Sequence, residues 1–176
     1  MNNIPDELIN LPQWLAWKLV PHPDPDKKDM KVPINIHTGN GASTTNPSAW
    51  ATFREVQAFL DEWQGHEHSH IDKQIGELTG KVAGPGFVFS KDDPYTGIDL
   101  DNCIDEHGHL VKWARLITEN LNSYTEISHS EKGVHIIIKG KKPEGSSCKK
   151  GDIECYDQAR FFAMTGKIYR EVDRDL

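Results

Sequence analysis

The sequence is poor in cysteine. Only Cys103, Cys148 and Cys155 occur in 176 residues, and no two stand in CxxC spacing. An odd number without paired spacing excludes a disulfide framework or a cysteine-built zinc site as the organising principle and fits reduced thiols. Long apolar runs are missing too, for none approaches the ~20 residues that cross a bilayer. Residues 1–11 hold Pro5, Asp6 and Glu7 without a basic stretch, so they do not read as a signal peptide. The expectation is a cytoplasmic protein with no membrane partner. Basic charge is outweighed: 20 Lys and Arg face 27 Asp and Glu, a net charge of -7, which speaks against a simple nucleic-acid binder. No internal repeat or low-complexity tract is present.

What is there is an ordinary globular balance, with 36% hydrophobic and 27% charged residues. The length fits one domain, 1–176, divided into an N-terminal α/β part (1–80) and a sheet carrying the chemistry (81–176). Against the acidic total stands one basic stretch, residues 139–150, with Lys139, Lys141, Lys142, Lys149 and Lys150 and a single acid, Glu144. An acidic whole with a local basic patch is compatible with a metal-carboxylate enzyme acting on a polyanion.

The pattern predicts a short amphipathic segment from residue 4, a strand over 14–20, a charged loop, an extended piece over 31–35 and a polar loop over 38–46. Asn46 and Pro47 supply helix-start chemistry, and Trp50, Phe53, Val56, Phe59 and Leu60 recur at helical spacing. His66, His68 and His70 alternate in a polar tract that reads as a solvated loop. Residues 86–90 and 96–101 read as a hairpin across the turn 91–94. Leu110, Trp113, Ala114, Ile117 and Leu121 mark a second amphipathic helix, and strands follow over 124–127, 134–139, 152–156 and 161–165. The order is that of an α+β fold with mainly antiparallel pairing and flanking helices.

Strand side chains alternate between faces, so polar residues can be sorted by parity. Asp99 and Asp101 fall opposite Ile98 and Leu100. His135 falls opposite Val134, Ile136 and Ile138, and Glu154 opposite Ile153 and Cys155. Three strands can therefore bury one face and present Asp99, Asp101, His135 and Glu154 on the other. Two aspartates side by side repel unless a cation or water intervenes. Mg²⁺ or Mn²⁺ takes carboxylate and phosphate oxygens, the donor set of two-metal phosphoryl transfer. The polar turn 128–133 leads into the His135 strand. Ser130, Lys132 and the backbone at Gly133 offer hydroxyl, charge and N–H groups to phosphate. Arg160, ahead of an apolar run, is placed for a phosphate or template clamp.

Together Gly86-Phe87-Val88-Phe89, Gly97-Ile98-Asp99-Leu100-Asp101, Ser123-Tyr124-Thr125-Glu126-Ile127-Ser128, Gly133-Val134-His135, Ile153-Glu154-Cys155-Tyr156, Arg160-Phe161-Phe162 and Thr165-Gly166 resemble the primase-polymerase domain of phage and plasmid replication proteins, in the archaeo-eukaryotic primase superfamily. Gln13-Trp14, Trp17, residues 31–35, Ala42-Ser43-Thr44, Pro47 and Trp50 are similar too. The resemblance implies an RRM-like, mainly antiparallel sheet. It implies that Asp99 and Asp101 are the metal-binding acidic pair, that His135 contacts the incoming nucleotide's phosphates, and that Glu154 completes the metal site. It further implies primer synthesis or extension on a single-stranded DNA template from dNTPs or NTPs, and a helicase domain or partner. Two departures stand out. Gly133 occupies the place of a serine in the usual Ser-x-His motif, with Ser130 nearby, and Glu154 stands where aspartate is common, with Asp157 close by.

Two other classes use similar residues. A metal-dependent nuclease could use the same carboxylates for hydrolysis, but a nicking initiator of the paired-histidine type would need a nucleophilic tyrosine and a His-apolar-His pair, whereas His66-Glu67-His68 and His107-Gly108-His109 lack the apolar residue. A non-catalytic nucleic-acid-binding module would display aromatic and basic residues on its open sheet face; here that face carries carboxylates.

Overall fold

A computed structural model describes residues 3–65 and 81–170. The fold is α+β, and the chain forms two compact units, Asp6–Val88 on the one hand and Met1–Pro5 with Phe89–Leu176 on the other. His66, His68 and His70 lie outside the described residues.

The first unit runs through α1 (Asp6–Ile9), β1 (Trp14–Val20), β2 (Met30–Ile34), a 3-10 turn (Pro47–Ala49), α2 (Phe53–Gly65) and β3 (Lys81–Phe89). β1 is the central strand, antiparallel to β2 and β3. Trp14 is fully buried, edge-on to Phe53 and Phe87, and its indole N–H donates to the Leu8 carbonyl at 3.0 Å. A buried indole needs such an acceptor, and the short α1 supplies it. The expected helix start at Pro47 is corrected: Asn46 caps only the 3-10 turn. The helix proper starts after Thr52, which exchanges hydrogen bonds with Glu55 in a capping box, Thr52 N–H to Oε2 at 2.8 Å and Glu55 N–H to Oγ1 at 3.3 Å. Trp50 thus stands outside the helix, donating to Ser43 O.

The second unit holds β4 (Tyr95–Leu100), α3 (Lys112–Leu121), β5 (Tyr124–Ile127), β6 (Val134–Lys139), β7 (Lys149–Lys150), β8 (Ile153–Tyr156) and β9 (Arg160–Ala163). Five strands form an antiparallel sheet in the order β5-β6-β4-β8-β7. Ile98, Leu100, Val134 and Ile136 pack on one face with Cys103, Leu110 and Ala114, joined by Ile117, Leu121, Ile153 and Cys155. This is the apolar set that parity predicts. Trp113 is a correction, for it is 37% exposed: Ala114 and Ile117 point α3 at the core, and a residue one position before Ala114 falls off that stripe.

The expected hairpin over 86–101 does not form, because both partners of β4 are β6 and β8. The buried Asp93 closes the turn that remains. Its carboxylate accepts from Ser90 N–H at 2.8 Å and Tyr95 N–H at 2.7 Å, so a side chain satisfies the turn's donors in place of a ladder. The opposite face of β4 has no side chain at Gly97. A Cβ there would come within 2.4 Å of the Phe89 ring and 2.6 Å of the Phe162 ring, so the glycine lets both aromatics pack against the sheet.

No helix among the described residues is long and apolar enough to cross a membrane.

Candidate active site

The face turned away from α3 carries one polar residue from each of five strands, aligned by register. Glu126 on β5 stands opposite His135 on β6, His135 opposite Asp99 on β4, Asp99 opposite Glu154 on β8, and Glu154 opposite Lys149 on β7. Cross-strand neighbours on one face lie within reach of each other, so this row is a continuous polar track.

At one end Glu126 is fully buried, and four groups converge on its carboxylate. Tyr124 donates its hydroxyl to Oε2 at 2.7 Å, and Gly166 N–H reaches Oε2 at 2.8 Å. Thr165 N–H lies 3.1 Å from both oxygens, and His135 Nδ1 is 3.0 Å from Oε1. Burial and the Glu126 charge push the Tyr124 hydroxyl far above its ordinary range. The His135 ring is 2% exposed and stacks on Phe162 with centroids 4.7 Å apart. Its other nitrogen, Nε2, is 3.9 Å from Asp99 Oδ1.

At the other end Glu154 is clasped. Lys149 Nζ contacts Oε1, the Tyr156 hydroxyl donates to Oε2 at 2.9 Å, and Arg160 lies 3.4 Å from Oε2 with its guanidinium 4.8 Å over the Tyr156 ring. Burial pushes the Glu154 acid up, but the hydrogen bonds from Lys149 and Tyr156 and the Lys149 and Arg160 charges outweigh it, leaving it below the ordinary carboxylate range. Lys149 is pushed up, chiefly by its hydrogen bond and charge interaction with Glu154 and also by Asp101.

Asp101 sits just past the end of β4, so strand parity stops short of it. Its backbone N–H donates to Asp152 O at 2.8 Å, and Asn102 follows in the left-handed region at φ 49°. The Lys132 carbonyl accepts from both Cys103 and Ile104, which ties this turn to the 128–133 turn. Gly133 packs so closely that a Cβ on it would lie 2.3 Å from Leu100 O. The contact explains why a serine is absent there. The Ser130 hydroxyl pairs with Ser128 at 3.0 Å, and Lys132 is exposed.

Sequence reasoning placed Asp99, His135 and Glu154, and the fold brings them together. Among the described residues, the His, Cys, Asp and Glu side chains do not gather in threes as a metal-holding group, Asp99, Asp101 and Glu154 included. Of the basic stretch, Lys141 reaches Ser90 O at 3.0 Å and Asp93 at 3.8 Å, Lys142 bonds Ser146, and Lys149 belongs to the row. Lys139 ends β6 and Lys150 ends β7. Glu126 and Tyr156 were missed. The parity test that found His135 also sets Glu126 opposite Thr125 and Ile127.

A sheet that sets an aspartate between a histidine and a glutamate carries the motif positions by which the chain resembles primase-polymerases, and the resemblance extends over most of its length. The chain is 34% identical over 163 residues to the DNA primase-polymerase of Nitratiruptor phage NrS-1, a match covering 89% of this chain and 19% of that protein. The chain thus spans about a fifth of the length of this curated relative. No protein-family model matches the chain.

Proposed function

We propose that this chain is the catalytic domain of a DNA-templated nucleotidyltransferase that makes or extends primers on single-stranded DNA from dNTPs or NTPs. The observation that carries the reading is the cross-strand alignment of His135, Asp99 and Glu154 on the sheet face turned away from α3. The similarity to a phage DNA primase-polymerase supports it.

The donor chemistry fits divalent ions. Asp99 and Asp101 are two residues apart at the end of β4, Glu154 is the cross-strand neighbour of Asp99, and all three offer hard carboxylate oxygens of the kind Mg²⁺ and Mn²⁺ take. A cation already answers this charge, for the Lys149 ammonium contacts Glu154 and senses Asp101. In the proposed site Asp99, Asp101 and Glu154 hold the ions. When bound, these supply Lewis-acid stabilisation of the attacking and leaving oxygens. His135 presents Nε2 beside Asp99 toward the nucleotide's phosphates. Ser130, Lys132 and the Gly133 backbone line the turn bound to the Asp101 segment and grip the triphosphate. Arg160, held against Tyr156 and Glu154, contacts phosphate or template. Lys139, Lys141, Lys142, Lys149 and Lys150 counter the negative row for an incoming phosphate backbone.

The test is incorporation of labelled dNTPs and NTPs on single-stranded and primed DNA with Mg²⁺ or Mn²⁺. Asp99→Ala with Asp101→Ala is expected to lower incorporation by at least ~100-fold while the fold persists, the scale at which electrostatic groups act on transition states. An equally active double variant sinks the reading.

A further inference from the structure

The row has a member with no place in the proposed chemistry, the fully buried Glu126. It does not border the Asp99–Glu154 end of the row. Its reach is through His135, and its other three donors are the Tyr124 hydroxyl and the Thr165 and Gly166 N–H groups, the last two fixed in direction by the backbone. A carboxylate only accepts, so the imidazole nitrogen that faces it, Nδ1, must bring a proton. We infer that Glu126 is a positioning residue, holding His135 as the Nδ1–H tautomer with Nε2 presented to Asp99.

Three features hold the arrangement. Phe162 stacks on the ring with an interplanar angle of 27°, which fixes its plane. The 3.0 Å contact from Nδ1 to Oε1 fixes its rotation within that plane. The backbone donors at 165 and 166 come from a segment about 40 residues beyond Glu126 in sequence, so the carboxylate is locked from a second direction. An imidazole oriented by a carboxylate behind it is a recurrent device at metal sites, where loss of such a partner typically costs ~10- to 100-fold in affinity or activity. The consequence for turnover rests on the nucleotidyl-transfer reading; the tautomer does not.

Glu126→Gln makes the distinction sharp. An amide offers one acceptor oxygen where the acid offered two. The Gly166 N–H cannot turn round and meets the Tyr124 hydroxyl at the Oε2 position, whereas Thr165 N–H is 3.1 Å from both oxygens. The amide oxygen is therefore claimed there, and the NH₂ group is left facing His135 Nδ1. That nitrogen must then accept, so the ring proton moves to Nε2 and the face toward Asp99 changes from a lone pair to N–H.

The experiment is long-range ¹⁵N–¹H correlation of the His135 imidazole in the full chain, without added metal, at about pH 8. Steady-state incorporation kinetics are run in parallel. Wild type is expected to carry its proton on Nδ1, and Glu126→Gln on Nε2. The variant's kcat is expected to fall about 10- to 100-fold with KM for primed DNA unchanged. Tyr124→Phe removes one Oε2 donor but not the His135 contact, so the proton is expected to stay on Nδ1; this variant keeps the tautomer assignment testable if Glu126→Gln does not fold. An Nε2 proton in wild type or in Tyr124→Phe, an Nδ1 proton in Glu126→Gln, or unchanged kcat after the tautomer inverts would each overturn the positioning role. Wild type that incorporates no nucleotide sinks the nucleotidyl-transfer reading instead, and the spectra still decide the tautomer.

Discussion

Lys149 and Glu154 face each other across the β7–β8 pair, and the ammonium of one closes on the carboxylate that borders Asp99. A lysine is thus the internal counter-ion of the acidic end of the row. With Lys149→Met the carboxylates lose a competing cation, so they are expected to bind Mn²⁺ about two- to fivefold more tightly, the scale of a partly exposed ion pair. Titration of the full chain with Mn²⁺ followed by electron paramagnetic resonance reads this directly, and unchanged or weaker binding would show that Lys149 does not compete.

The same substitution has a pH signature. Glu154 is held below its ordinary value, so it contributes stability that is present above the unfolded value of about 4.3 and is lost as pH falls through the lower folded value. Without the Lys149 hydrogen bond, the burial that pushes the acid up is less opposed, and the folded value climbs. The acid-unfolding midpoint of Lys149→Met, followed by circular dichroism, is expected to lie at higher pH than that of wild type.

Gly133→Ser restores the serine usual in the related motif, and it is expected to harm this chain. The new Cβ would lie 2.3 Å from Leu100 O and 3.3 Å from Asp101 Cα, both backbone atoms that cannot swing aside. Overpacking of this kind costs about 1–3 kcal/mol, which urea unfolding would show as a lower midpoint. The displaced turn carries Asp101, so incorporation is expected to fall further than stability alone explains.

Thiol reactivity should separate the cysteines. Cys103 is fully buried, and burial pushes its thiol up to about 11. Cys155 is half-buried and also pushed up by burial, whereas Cys148 is exposed. Because the thiolate is the nucleophile, maleimide at about pH 7.5 is expected to label Cys148 first, Cys155 slowly and Cys103 only after denaturation. Mass spectrometry of timed digests checks the order.

Asp99, His135 and Glu154 were legible in the sequence because alternation is a property of extended backbone and needs no tertiary knowledge. The α+β class and the apolar face of α3 followed from periodicity in the same way. Parity could have placed Glu126 on the same face, but its role was not legible, since two of the donors that define it arrive from residues 165 and 166. Lys149 read as one of five lysines for a phosphate backbone, and only the β7–β8 register turns it toward Glu154. The hairpin over 86–101 failed for a non-local reason: a turn signal says that the chain reverses, but both edges of β4 are taken by β6 and β8 from later in the chain.

The five-membered row would also make the proposed activity a register gauge. Each member comes from a different strand, and the four steps between them span about 19 Å at ordinary strand spacing. A slip of one residue in β6, β4 or β8 would send its member to the α3 side and bring an apolar neighbour into the track. Variants that loosen pairing in these three strands would therefore register as lost turnover before they register as lost secondary structure.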